Sequence, residues 1–174
     1  LLGVAVLLPA GLPGVSDAGR AAAVIGATFA FTAHAFGKLT MFFVAGAVAV
    51  ETGKTKISEL DGLGKRMPRE FVAFTLAALS MVALPPMAGF VAKWYLSVGA
   101  WNAGFWWVPL LFTASAVLNL GYWLPILLRA FFRPYDGPKG EARSTLAGPL
   151  LVTAAGATVL GLWTTMPYGF FDIA

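Results

Sequence analysis

Four apolar runs limit what this chain can fold into. They cover about residues 20–50, 71–100, 105–132 and 146–165. Each can supply the roughly 20 residues that an α-helix needs to cross a bilayer. Hydrophobic residues make up 59% of the chain and charged residues 11%, against roughly a quarter charged in an ordinary globular domain. Mean hydropathy is +0.79. The expected fold is all-α, a polytopic transmembrane helix bundle of about four full spans plus an N-terminal stub. The stub is LLGVAVLL, residues 1–8, which reads as the tail of a helix cut in half. The whole of residues 1–174 is therefore expected to be the C-terminal part of one membrane domain in a longer protein.

The second run is interrupted. Pro85 and Pro86 stand in its middle, followed by Gly89. Proline removes a backbone donor and clashes with the preceding turn, so this span is expected to be broken there. At 1.5 Å per residue the first run is longer than the hydrocarbon core and must tilt or protrude.

Basic residues set the orientation. Lys54, Lys56, Lys65, Arg66 and Arg69 lie in the connection 51–70, and Arg129, Arg133, Lys139 and Arg143 follow the third span. The opposite side holds Arg20 alone. The positive-inside rule then puts the basic connections in the cytoplasm and the C-terminus outside, in a multi-pass protein of a bacterial inner membrane. The net charge of +4 thus reads as topology, not as a nucleic-acid patch. Trp94, Tyr95, Trp101, Trp106 and Trp107 read as an interfacial belt.

Two basic residues escape this pattern, Lys38 and Lys93. A lysine at a helix centre costs roughly 2.5–3.5 kcal/mol on insertion scales, and such residues face a wet cavity or a partner. His34 stands one turn before Lys38 on the same face and titrates near neutral pH, so the two read as a relay pair. Lys93 follows the PPMAGF break. Broken helices at membrane depth line cavities and ion sites, and a buried lysine is suited to switching protonation. Thr32 and Asn119 are possible supporting polar groups, though threonine also bonds back to its own helix and Asn119 suits an interhelix hydrogen bond. No catalytic group, metal cluster, cofactor site or Gly-rich phosphate loop is apparent. With one histidine and no cysteine, hydrolase and metalloenzyme chemistry has little to work with.

Three stretches in order, HAFGKLTMFFVAGAV, ISELDGLGKRMP and LAALSMVALPPMAGFVAKWYL, resemble the proton-conducting antiporter-like membrane subunits. That family includes the D subunit of Mrp-type monovalent cation/proton antiporters, the antiporter-like subunits of respiratory complex I, and relatives in membrane-bound hydrogenases. The resemblance covers about residues 20–135. GFVAKWYL and the connection ETGKTKISELDGLGKRMP look closest to the Mrp D branch. The resemblance implies that Lys38 is the eleventh-helix lysine of a central polar axis, with His34 the histidine one turn before it. Lys93 is then the titratable residue of a broken twelfth helix near an exit half-channel. Some members carry a further histidine where Ala30 stands here, and some carry glutamate in place of Lys93.

The expected function is therefore a membrane subunit of a Na⁺ or K⁺/H⁺ antiporter, with a proton path through His34, Lys38 and Lys93. It would work with other membrane subunits in the lipid bilayer and without redox chemistry of its own. The alternative is a proton-pumping subunit of NADH:quinone oxidoreductase or a related hydrogenase.

Overall fold

A computed structural model of the chain describes residues 13–137 and 147–165. The stub at 1–8, the tail MPYGFFDIA, Lys139 and Arg143 lie outside the described residues. Those described form a polytopic helical bundle with no strand among them.

Helix α1 (Asp17–Thr52) is the longest. It starts before the apolar run because Ser16 and Asp17 suit a helix start. The Ser16 hydroxyl accepts from the Gly19 N–H at 3.1 Å, and Asp17 lies in the first turn, where negative charge complements the helix dipole. Gly53 ends it in the left-handed region at φ 68°, donating to the Ala49 carbonyl. A short 3₁₀ turn (Ile57–Glu59) and α2 (Leu63–Arg66) fill the polar connection. Then follow α3 (Pro68–Val82) and α4 (Ala88–Asn102). The second apolar run is thus two short helices with Pro85 and Pro86 between them. Last come α5 (Val108–Phe132) and α6 (Ala147–Thr165).

Helix α1 packs most extensively against α4, and also against α3 and α6. The contact with α4 is made of small residues. Gly19, Ala22, Ala23 and Gly26 are buried on one side, and Ala88, Ala92, Gly99 and Ala100 on the other. Lipid tails are as apolar as leucine, so close backbone approach and van der Waals packing hold such helices together. A Cβ at Gly26 would come within 2.6 Å of the Leu96 amide nitrogen. Helix α6 is tied to α1 by a buried polar link, Thr40 Oγ1 to Thr153 Oγ1 at 2.8 Å. Helix α5 stands at the edge, burying only Val108, Ile126 and Ala130.

The DGLG stretch docks onto the end of α5. Gly62 takes φ 70° and donates to the Arg129 carbonyl at 3.0 Å, satisfying one of the acceptors that a helix C-terminus leaves free. Asp61 bridges Arg129 at 3.2 Å and Arg133 at 3.3 Å. These groups are partly exposed, so the pairs contribute at most about 1 kcal/mol. Tyr135 closes the latch, accepting from Arg66 Nη1 at 2.7 Å with Lys54 Nζ lying 5.2 Å from its ring centre.

Two outcomes follow for stability. Gly26→Ala is expected to lower the stability of the assembled protein by about 1–3 kcal/mol through overpacking. Gly121, with open space around its Cα, should gain up to about 1 kcal/mol from Gly121→Ala by helix propensity. Thermal melts in detergent distinguish them. In the connection, Glu59 accepts the N–H groups of Lys56 at 3.1 Å and Thr55 at 3.2 Å. These bonds, chiefly that to Lys56, hold its carboxyl below the usual carboxylate range. A depressed folded pKa means that the stabilisation is present above the unfolded value and lost as pH falls through the folded one. Amide exchange at Thr55 and Lys56 should accordingly stay protected down through the ordinary carboxylate range, relative to Glu59→Gln, and rise only at more acid pH.

Candidate functional site: the helix break and its lysines

Helix α3 ends with Ala83 in the left-handed region at φ 70°. Its N–H bonds back to the Ser80 carbonyl, and the Leu84 N–H to that of Leu79, both at 3.0 Å. The next donors are taken as well. The Met87 N–H reaches the Leu84 carbonyl at 3.0 Å and the Phe90 N–H the Met87 carbonyl at 2.9 Å. The Gly89 N–H bonds the Ser80 hydroxyl at 3.3 Å. The break therefore supplies partners for these five of its backbone donors, as a bilayer interior demands.

Glycines make that closure possible. A Cβ on Gly89 would land on the Ser80 carbonyl oxygen. From the other side α6 lies against the break, where a Cβ on Gly161 would collide with the Pro86 carbonyl and the Ala88 nitrogen. Gly156, farther along α6, leaves room for Phe36 of α1.

Contacts on either side of the break set the register. Gly37 meets Met81 of α3, and Gly26 meets Ala92 and Leu96 of α4. Interpolating at 1.5 Å per residue puts the break roughly level with Thr32 to His34 on α1, and Lys93 about 14 Å from Lys38 along that axis. The site residues therefore lie at successive depths of one bundle.

Their surroundings differ. Lys93 is only partly exposed, and its Nζ is buried with no hydrogen-bond partner among the described residues. It does not reach outward to the membrane surface. His34 and Lys38 share one face of α1, as their spacing requires, and both are exposed. The adjoining face of α1 buries Ala33, Gly37 and Thr40. A lysine on an open face at this depth needs water or a polar partner, since lipid excludes it. Thr32 bonds the Thr28 carbonyl of its own helix at 3.0 Å. Asn119 donates to the Ser115 carbonyl at 2.9 Å. This corrects the expected interhelix role of Asn119 and has a physical reason: α5 is peripheral, and the amide turns to its own backbone. Trp101, Trp106 and Trp107 flank the α4–α5 turn and are exposed, while Trp94 stacks on Phe90 deeper along α4.

Some residues gave no signal in the sequence. Glu70 is only 2% exposed in the first turn of α3. Ser80 and Gly161 look like ordinary small residues of apolar runs. Their closeness to the break depends on how α3 and α6 cross.

The model of the NADH:quinone oxidoreductase/Mrp antiporter transmembrane family matches residues 14–119. NADH-quinone oxidoreductase subunit N of Desulforudis audaxviator is 36% identical over 160 residues, covering 83% of this chain and 32% of its own. F(420)H(2) dehydrogenase subunit N of Methanosarcina mazei is 33% identical over 153 residues, covering 82% of this chain and 30% of its own. The chain thus spans about a third of the length of these curated relatives. The same fold occurs in a chain of the archaeal membrane-bound sulfane sulfur reductase, with a TM-score of 0.74 and 23% identity over 94% of this chain and 26% of that one. It occurs also in respiratory complex I from Thermus thermophilus, with a TM-score of 0.58 and 22% identity over 95% of this chain and 42% of that one. With the family model matching more than half of its length, this integral membrane chain belongs to the NADH:quinone oxidoreductase/Mrp antiporter transmembrane family.

Proposed function

We propose that this chain is the C-terminal part of a proton-translocating subunit in a redox-driven membrane complex, the counterpart of subunit N in NADH-quinone oxidoreductase. The single observation that carries the reading is Lys93, whose buried nitrogen has no partner among the described residues and follows the helix break at Pro85 and Pro86, in a chain related to subunits of that name. A buried lysine nitrogen is costly unless it is hydrogen-bonded, paired or neutral, and water or a partner group brought to it would supply that.

In this reading His34, Lys38 and Lys93 are stations of the path. Lys38 and His34 take and pass protons on the open face of α1. Lys93 loads and releases them at the break, and repulsion between like charges drives each transfer. Thr32 and Asn119 bond back to their own helices and would act only through water. Oxidation and reduction belong to other subunits, so this chain needs no cofactor of its own. Those partners would share the bilayer of a bacterial inner membrane with it, the 53–67 connection on the cytoplasmic side and the C-terminus outside.

The antiporter reading remains the second one, favoured by the likeness of ETGKTKISELDGLGKRMP and GFVAKWYL to the D branch of the Mrp antiporters. The redox names of the relatives shift the weight away from it. Everted vesicles carrying the whole complex separate the two. Under the redox reading, the electron donor alone builds a proton gradient. Lys38→Ala lowers that proton movement about tenfold, a loss of roughly 1.4 kcal/mol of driving capacity, with subunit levels unchanged. Na⁺ or K⁺ added without donor should not collapse a preformed gradient. A cation-triggered collapse that needs Lys38 would instead establish the antiporter.

A further inference from the structure

Arg20 goes against two rules of its position. The other loop cations gather at the end of the bundle that bears residues 53–67, whereas Arg20 stands at the opposite end, near the start of α1. The helix dipole also disfavours a cation there, because its positive pole lies at the N-terminus. No ion pair offsets these costs: those among the described residues belong to Asp61. The Arg20 Nε is buried with no hydrogen-bond partner among the described residues, and Asp17, a turn away, is exposed.

The place of Arg20 on the bundle supplies a reason for it. The 18 residues from Arg20 to Lys38 make five turns at about 3.6 residues each. The two therefore share one face of α1, with His34 within about 40° of it. Helices α1 and α4 run antiparallel, since Gly19 meets Asn102, Ala23 meets Gly99 and Gly26 meets Leu96. At about 100° per residue, Arg20 stands about 110° round α1 from that contact line, and Lys93 about 110° round α4 in the same sense. In an antiparallel pair this puts both on one flank. Along the axis Lys93 lies between the other two, roughly 13 Å from the level of Arg20 and 14 Å from that of Lys38.

We propose that Arg20 is a fixed-charge barrier at the outer end of this flank, which suppresses passive entry of cations toward Lys93. Arginine does not deprotonate in proteins, so it repels hydronium, Na⁺ and K⁺ alike and relays no proton itself. Pores and transporters use arginine as a barrier to cations in this way. The barrier slows protons in both directions. At rest that limits leak down the gradient, while in turnover protons are driven out over it. The inference rests on the reading of Lys93 as a proton carrier and adds to it the residue that keeps the flank tight.

The test uses the whole complex in sealed native membrane vesicles with the α4–α5 turn facing the bath. Electron donor is left out and the membrane potential is clamped. The bath is acidified, and a dye in the lumen reads proton entry, corrected for vesicles lacking the complex. Arg20→Gln should admit protons roughly three- to tenfold faster than wild type. Arg20→Met, a second neutral variant that keeps the apolar stem, should do the same. Arg20→Lys, which keeps the charge, should stay close to wild type. Adding Lys93→Gln to Arg20→Gln should return entry to the wild-type rate, because the leak runs by way of Lys93. Subunit levels are measured in each variant. Entry no faster in either neutral variant would overturn the proposal. So would an equal leak in Arg20→Lys, or a leak that survives Lys93→Gln. None of these outcomes decides the reading of Lys93 itself, which is tested separately by the proton-to-electron ratio of Lys93→Gln in turnover.

Discussion

Everything in this bundle depends on keeping a broken helix closed where no water can satisfy it. Two prolines force the break, and a bilayer interior punishes every backbone donor left free. The chain answers locally. The Ser80 carbonyl takes the Ala83 N–H on the near side of the break, and its hydroxyl takes the Gly89 N–H on the far side. Gly89 and Gly161 let backbone from α3 and α6 come close enough to seal it. The long helix α1 then serves as the post against which α3, α4 and α6 are all packed. Helix α4 can present Lys93 at a set depth only because this seal holds.

The bundle also sorts its polar groups by what each can tolerate. Thr40 and Thr153 are buried and satisfy each other. Thr28 and Thr32 bond back to their own helix. His34 and Lys38 are left on an open face, and the Lys93 nitrogen is enclosed without a partner among the described residues. Groups that need nothing more are inside. Those that exchange protons in the proposed reading are placed where water or another subunit must come to them.

Much of this was legible beforehand. The Pro85–Pro86 pair foretold the break because its effect is local and steric. His34 and Lys38 were assigned to one face because helical spacing alone decides it. The family followed from three motifs in order, and the match over residues 14–119 bears it out. What stayed hidden depends on contacts between distant segments. Nothing near Gly161 says that it will meet Pro86, and nothing near Gly62 says that its N–H will cap α5 at Arg129. Asn119 was misjudged for the same reason. An asparagine in a span suggests an interhelix bond, but the peripheral place of α5 is not written in its own residues. Glu70 shows the limit from the other side, since its burial comes from what packs over the first turn of α3.

The central claim is that the lysine held at the break carries protons during turnover. The most direct measurement is the number of protons moved per electron by the assembled complex in sealed vesicles, for wild type and Lys93→Gln. Glutamine keeps much of the volume and the hydrogen-bonding capacity but cannot carry a proton. The account predicts that electron transfer persists in uncoupled vesicles while the proton-to-electron ratio falls. An unchanged ratio in a correctly assembled Lys93→Gln complex would contradict it and leave Lys93 a structural residue.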